Sequence, residues 1–370
     1  MLRRVFHDLR IEGAGAARET AAVALGVFIG CLPIYGLHLL ICWSAGFLLG
    51  LNRLKMYLAA NISNPLVAPW LIFAEVQAGA WLRRGSFHAL TRESIPAAGI
   101  ATFGIDAIVG SVAVGGLLAC LAAAGTYSLV RTSAAERPFA DLVRRASDRY
   151  LGASITAWEF ARGKLRMDPI YRATLSPDVL SSGGSLVDIG CGQGLMLALL
   201  AEARQAYDAG TWPAEWPPPP RFTRMTGIEM RRRVAAIARE ALAGDADVIN
   251  ANARMLALEP ASAVLLFDVL QLLRPDDQEA LLAGMAASLE PGGVVLVREA
   301  DASAGWRFTA VRVGNRLKAF AVGTWRRQSF HPRTEAEWRD CFARLGFRDA
   351  VWPMGEGTPF ANVLFRLTRV

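Results

Sequence analysis

The chain has 370 residues, room for two domains, and with 53% hydrophobic residues against 20% charged it is no disordered polymer. The net charge of +7 does not mark a nucleic-acid binder: Lys stands only at 55, 164 and 318, so 37 of the 40 basic residues are Arg, the compositional bias of a GC-rich coding sequence. Cys31, Cys42, Cys120, Cys191 and Cys341 are scattered and odd in number, without a C-x-x-C pair, and no two of the four histidines stand at ligand spacing, so neither a disulfide framework nor a metal centre is expected.

The first third is a different material from the rest. Thr20–Asn52 holds no Asp, Glu, Lys or Arg, and neither do Met56–Ala74 and Ala107–Val130. The last two are near the ~20 residues that cross a bilayer, so both are predicted to span it. Thr20–Asn52 is broken at Leu32-Pro-Ile-Tyr-Gly36, where proline removes a backbone donor. Each arm is then too short for a span and suits a re-entrant hairpin. Asn61-Ile-Ser-Asn-Pro-Leu66 is a second polar, proline-broken point. Glu75 and Asp106 fall near the ends of the predicted spans, where a charge is tolerable. The marks Gly26-Val-Phe-Ile-Gly30, Pro33-x-x-Gly36, Leu51-Asn52 and Ser63-Asn-Pro65 resemble the bacterial membrane-domain family DUF2062, over about residues 15–130. The resemblance implies a membrane domain and no activity. The apolar part begins late and lacks a small-residue cleavage pattern, so no removable signal peptide is read here. Arg131, Arg144 and Arg145, beside the spans, suit anionic head groups.

Residues 136–174 read as a linker with cap helices. Phe139, Leu142, Val143, Ala146, Tyr150 and Leu151 recur at helical spacing, and Phe160–Tyr171 mixes basic with aromatic residues. Next comes Leu186-Val-Asp-Ile-Gly-Cys-Gly-Gln-Gly-Leu195, a short apolar strand, a glycine-rich turn and an apolar helix. A dinucleotide fingerprint would need a third glycine at 195 or 197, and both are Leu. Arg224–Met230 reads as a second strand ending in the acid Glu229, after Thr211–Arg221, a tract with Trp212, Trp216 and five prolines expected to be an extended exposed loop. Asp247–Arg254 and Ala263–Leu273 read as further strands with loops, Asp276–Leu289 as a helix, and Leu289-Glu-Pro-Gly-Gly-Val-Val-Leu-Val-Arg-Glu299 as a turn into a fifth strand. Alternating strands and helices imply a mostly parallel sheet covered on both faces.

Asp-x-Gly-x-Gly-x-Gly from Asp188 to Gly194, with Glu229 and Pro291-Gly292-Gly293 following in order, resembles the class I S-adenosylmethionine (SAM) dependent methyltransferases over residues 175–370. The resemblance implies a Rossmann-like fold with a seven-stranded, mostly parallel sheet and SAM as cofactor. It implies cofactor contacts at Asp188, Gly190, Cys191, Gly192, Gly194, Glu229, Met230, Asn252, Ala253 and Asp268. Glu229 would take the ribose hydroxyls. The family usually has an acid where Asn252 stands; an amide oxygen can still accept from the adenine amino group. Helices before the first strand often lie over the substrate in this fold.

Methyl transfer needs alignment first and a base only where the acceptor must lose a proton. Candidates are Asp268 and Gln271 after the fourth strand, Arg298, Glu299 and Asp301 after the fifth, and His331 in Ser-Phe-His-Pro332. Ligands in open α/β sheets bind at the carboxyl ends of strands, which favours the five that follow the fourth and fifth strands over His331. The expected activity is methylation of a small acceptor, lipophilic or carrier-bound, by an enzyme anchored in the bilayer. The alternative is a non-catalytic membrane scaffold or transport accessory with a nucleotide-like ligand. Because SAM is made in the cytoplasm and Arg3, Arg4, Arg10 and Arg18 favour a cytoplasmic N-terminus, an even number of crossings of a bacterial inner membrane is expected. That order leaves Arg83 and Arg84 on the far side, against the positive-inside tendency.

Overall fold

The computed structural model describes residues 15–34, 36–88, 100–131, 136–321, 330–355 and 358–369. Arg3, Arg4, Arg10 and Tyr35 lie outside them. The chain forms two compact units, Met1–Ala134 and Ala135–Val370.

The first unit is helical: α1 (Ala16–Cys31), α2 (His38–Leu49), α3 (Arg53–Ala60), α4 (Ala68–Arg84) and α5 (Ile100–Val130). The Pro33 break falls between α1 and α2. Asn52 accepts from Lys55 N at 2.8 Å and so starts α3. Met56–Ala74 is not one straight helix: a short 3₁₀ turn at Asn61–Ser63 and the Asn64-Pro65 step bend the chain by 78° before α4. Proline cannot donate to the helix behind it, and the polar side chains satisfy the freed backbone; Asn64 Oδ1 accepts from Leu66 N at 3.0 Å. Thr102–Val130 is long and apolar enough to cross a membrane, and the bent pair would make a second such segment if it counts as one span.

Small residues pack inside this unit and large apolar ones face out. A Cβ at Gly110 would overlap the carbonyl oxygen of Glu75, one at Gly79 that of Asp106, and one at Gly30 that of Ala60. Leu40, Phe47, Leu48, Trp70, Leu117, Leu121 and Leu129 are exposed. The two acids are buried within the unit. Glu75 is buried at the crossing of α4 and α5, with Oε1 lacking a partner. Asp106 is fully buried and accepts from Arg83 Nη1 and Arg84 Nη2, each at 2.7 Å, with His88 Nε2 also 2.7 Å away. The crossing glycines draw the backbones together and leave these carboxylates no route to the surface.

The second unit opens with α6 (Arg137–Asp148), α7 (Ile155–Met167) and the short α8 (Ile170–Ala173). The sheet follows: β1 (Gly183–Ile189), α9 (Leu195–Asp208), β2 (Phe222–Ile228), α10 (Arg232–Ala241), β3 (Asp247–Ile249), β4 (Ala261–Phe267), α11 (Pro275–Ser288), β5 (Leu289–Ala300), α12 (Trp306–Ala321), α13 (Glu335–Arg344), β6 (Phe347–Pro353) and β7 (Asn362–Arg369). The strand order is β3-β2-β1-β4-β5-β7-β6, with β7 antiparallel to both neighbours. Strand side chains alternate, so Leu186, Ala263, Leu265, Val294 and Leu296 join one core with α6–α9, while Val187, Val264, Leu266, Val295 and Val297 join the other with α11 and α13. Both faces are covered, and the strands therefore read as unbroken apolar runs.

The helices before β1 are part of the first of these cores. Leu142, Tyr150, Trp158 and Leu165 are buried in it. Arg149 locks them to the sheet layer: Nε donates to Glu202 at 2.6 Å and Nη1 to Asp245 at 2.8 Å. The Thr211–Arg221 tract is a loop, exposed at Thr211, Ala214, Glu215, Pro217, Pro218 and Arg221, and only part of it packs down. Trp212 and Trp216 meet edge to face at 5.3 Å against the same core, and Pro219 and Pro220 are buried. Their apolar area outweighs the extended bias of the prolines.

Candidate active site

The carboxyl ends of β1, β2, β4 and β5 form one edge, and the site is built there. After β1 the turn needs left-handed backbone at Gly190, Gly192 and Gly194, with φ of +73°, +59° and +76°. Gly190 abuts Val269 of the turn after β4, so a Cβ there would collide with the valine side chain; at Gly192 a Cβ would meet nothing within 4 Å. Gly194 is the N-cap of α9, whose first N–H groups face this edge. Tyr150, fully buried, donates its hydroxyl to Gln193 O at 2.9 Å and ties α6 to the turn.

Asp188 ends β1 and is 3% exposed. Burial, and then the charge of Glu229, push its carboxyl up to about 7. Glu229 ends β2. Its Oε1 accepts from Arg231 N (2.8 Å) and Arg231 Nε (2.9 Å), and its Oε2 from Arg231 Nη2 (3.0 Å) and Gly192 N (3.1 Å). Burial raises its pKa, but these bonds outweigh burial and hold it below the usual carboxylate range. Cys191, between two acids and largely buried, is pushed far up and is no thiolate at neutral pH. Met230 is exposed, and the Asn250 amide donates to the carbonyls of Glu229 and Met230. Asn252 Oδ1 accepts from Arg254 N at 3.1 Å and caps a short 3₁₀ turn beginning at Ala253, which leaves that oxygen one further acceptor site.

Past β4, Asp268 has φ of +59°, the one described non-glycine residue in the left-handed region. Arg298, at the end of β5 and 2% exposed, holds it there. Arg298 Nε donates to Asp268 Oδ1 at 3.1 Å and Nη2 to Asp268 Oδ2, while Nη1 donates to both oxygens of Asp168 at 2.7 Å. Asp168 ends α7 and also pairs with Lys164 at 2.7 Å. Arg298 is thus saturated by two carboxylates and acts through them. Glu299 is 1% exposed; Oε1 accepts from Leu270 N at 2.7 Å and Oε2 has no partner. Burial, followed by the charge of Asp268, holds its pKa well above the usual carboxylate range, and through Leu270 N it anchors the turn after β4.

Gln271 is buried with Oε1 unpartnered, and its carbonyl accepts from His331 N at 2.7 Å. Gln278 Nε2 donates to the carbonyls of Leu270, Leu273 and His331, so the segment carrying His331 lies against the β4 exit. Asp301 is instead spent on Ser303 and on Glu335 N. The structure therefore brings Asp188, Gly190–Gly194, Glu229, Asp268, Gln271, Arg298, Glu299 and His331 to one edge, with Asn252 and Ala253 just past β3. Sequence reasoning missed Asp168, Arg231 and Gln193. The signal for Asp168 was Lys164 one turn before it and Pro169 after it; the partner, Arg298, lies 130 residues away.

Unpaired buried acceptors dominate this edge: Gln193 Oε1, Gln271 Oε1 and Glu299 Oε2. With Asp188 and Glu229 they suit a ligand that brings hydroxyl donors and positive charge, and they do not suit a phosphate. SAM carries ribose hydroxyls, an ammonium and a sulfonium, and the donor set fits it. A glycine turn after β1, an acid at the tip of β2 and an antiparallel last strand in this sheet order define the class I SAM-dependent methyltransferases. Residues 157–350, just over half of the chain, match the family model described as a methyltransferase domain, and the chain belongs to that family. Residues 1–138 match the family described as an uncharacterized protein conserved in bacteria (DUF2062).

Among curated proteins, a carboxy-S-adenosyl-L-methionine synthase of Chromohalobacter salexigens is 30% identical over 125 residues, which is 32% of this chain and 41% of that protein. One of Vibrio cholerae serotype O1 is 48% identical over 52 residues, 14% of this chain and 21% of the relative. The chain thus spans well under half the length of the curated relatives it matches here. Among solved structures, the SAM-bound magnesium protoporphyrin IX methyltransferase of Synechocystis is similar at 16% identity and TM-score 0.38, over 58% of this chain and 83% of that one. A SAM-bound amino pentose methyltransferase of Micromonospora echinaspora is similar at 18% identity and TM-score 0.35, over 54% and 89%.

Proposed function

We propose that this methyltransferase is anchored in the bacterial inner membrane by its N-terminal unit, faces the cytoplasm, and methylates a small lipophilic or carrier-bound acceptor. Residues 1–135 serve as the membrane domain, 136–174 as linker and cap, and 175–370 as the catalytic domain. One observation supports the anchor above others. In the most apolar window of Thr102–Val130 only 17% is buried within the protein, which supports a helix whose apolar surface faces lipid. Anchoring raises the encounter rate with an acceptor that partitions into lipid.

In this reading the turn Gly190–Gly194 lets the backbone approach the cofactor, and Asp188 and Gln193 Oε1 accept from its ammonium. Glu229 accepts from the ribose, Met230, Asn252 and Ala253 line the adenine side, and Asp268 sits between cofactor and acceptor. When bound, SAM supplies an activated methyl group on a sulfonium. The protein's part is alignment and exclusion of water, with the cap helices over the edge and Arg298 fixing Asp268. Gln271 and His331 border the acceptor side, where His331 or Asp268 takes a proton if the acceptor must lose one. The similarity to carboxy-SAM synthases supports a second reading, in which the acceptor is the cofactor itself and a carboxyl group is built onto it. That chemistry calls for a cation to meet the new carboxylate, and Arg298 is already spent on Asp168 and Asp268. The mass of the product separates the two: S-adenosylhomocysteine (SAH) for methyl transfer, a heavier SAM for the other.

The cofactor reading is tested at Gly192. A side chain there projects into open space beside the turn, at a strain of about 1 kcal/mol from the positive φ. Gly192→Arg in the full chain should weaken SAH binding by roughly a hundredfold, because the arginine fills the space the ligand needs against the turn. Unchanged affinity by calorimetry, with the fold intact, would sink the assignment.

A further inference from the structure

Glu229 already holds four donors, two on each oxygen, and a carboxylate has about four acceptor sites. Two of the donors are backbone N–H groups of Gly192 and Arg231, fixed by the turn and by the start of α10. The other two belong to the Arg231 guanidinium, whose side chain is 53% exposed while that of Glu229 is 4% exposed. Backbone donors cannot leave without unfolding the edge. A half-exposed guanidinium can swing into water at little cost.

We propose that the Arg231 side chain is a displaceable occupant of the ribose site: it holds the Glu229 carboxylate in place and must give up two bonds to the incoming ribose hydroxyls. The inference rests on the cofactor reading above and concerns a residue outside the motifs that carry it. The exchange is balanced, since two guanidinium N–H···O bonds break and two O–H···O bonds form, with no change of charge on Glu229. Arg231 also offsets a crowded negative edge. The titratable groups that face Glu229 are Asp188 from β1, Cys191 from the turn and Arg231 itself. An uncompensated Glu229 beside Asp188 would draw a proton, and a protonated acid accepts fewer hydroxyl bonds. The arginine therefore keeps the acid ionised and aimed, at the expense of competing with the ligand.

The test uses the full chain in detergent micelles at pH 8.5, where Asp188 and Glu229 both carry charge. Two probes are titrated calorimetrically: SAH, and a SAH analogue lacking both ribose hydroxyls. Arg231→Ala should tighten SAH by about three- to tenfold, the net worth of one solvent-exposed hydrogen bond that no longer has to be broken, and leave the analogue within about twofold. Arg231→Lys, a point charge without the planar fork, should fall between. Glu229→Gln should weaken SAH and spare the analogue. Weaker SAH binding in Arg231→Ala, or equal changes for both probes, would overturn the proposal and make Arg231 a ligand or a strut. Failure of the unaltered chain to bind SAH would instead reject the cofactor reading.

Discussion

Asp188 is a charge the fold holds at its own expense, and replacing it tests the whole site. The residue is 3% exposed, and its carboxyl lies at about 7 against an ordinary 3.8, first because it is buried and second because Glu229 is charged nearby. The folded protein thus holds this proton more tightly than the unfolded chain. Stability from this source is fully present below pH ~4, is lost as pH rises towards 7, and stays lost above it. A rise from 3.8 to about 7 corresponds to about 4 kcal/mol. Asp188→Asn removes the titration and keeps the shape. The variant should gain little at pH 4, about 1–2 kcal/mol at pH 5 and up to about 4 kcal/mol at pH 8.5. In a unit of this size that ceiling is a shift on the order of 10 °C in the unfolding midpoint. The same variant should bind SAM at least about tenfold more weakly, because a charge-assisted bond to the ammonium is replaced by a neutral one, and should weaken SAH to a similar extent, since SAH keeps that ammonium. Thermal unfolding of the full chain in detergent, followed by tryptophan fluorescence from pH 4 to 8.5, measures the first effect and calorimetry the second. A stability gain that does not vary with pH, or a loss at pH 8.5, would refute the reasoning.

In the N-terminal unit, Gly110→Leu should force α4 from α5, because even a Cβ overlaps the Glu75 carbonyl, whereas Gly116→Leu, where a Cβ meets nothing within 4 Å, should be tolerated. Size-exclusion chromatography in detergent should show aggregation of the first and a monodisperse second, and equal behaviour would count against the close crossing. Reporter fusions that work on one side of the membrane should read cytoplasm after Asn52 and after Thr132 and the far side after Arg84. A periplasmic signal after Asn52 would mean that α1 and α2 cross, and the topology would need a further crossing.

The sequence by itself determined the fold of the second unit. Short unbroken apolar runs and glycine punctuation are local properties, so the strands and the turn at Gly190–Gly194 could be placed in order from the sequence, and the family resemblance added the acid Glu229. It also located the breaks at Pro33 and at Asn61–Leu66, because proline acts on its own neighbourhood. Tertiary structure alone decided what the charges do. Arg298 reads as a free cation at a strand end, yet Asp168 and Asp268 consume it from 130 and 30 residues away. Asp106 and Glu75 stand near the ends of apolar stretches with no local mark of burial, yet crossing glycines bury both within the unit. The pairing of Arg231 with Glu229, two residues before it, was within reach of the sequence, but its meaning depends on Gly192 N arriving from the turn after β1 to fill the last acceptor site. Backbone preferences are short-ranged and leave a pattern in the chain; a buried charge is satisfied by whatever the fold brings within 3 Å, and that is set by packing.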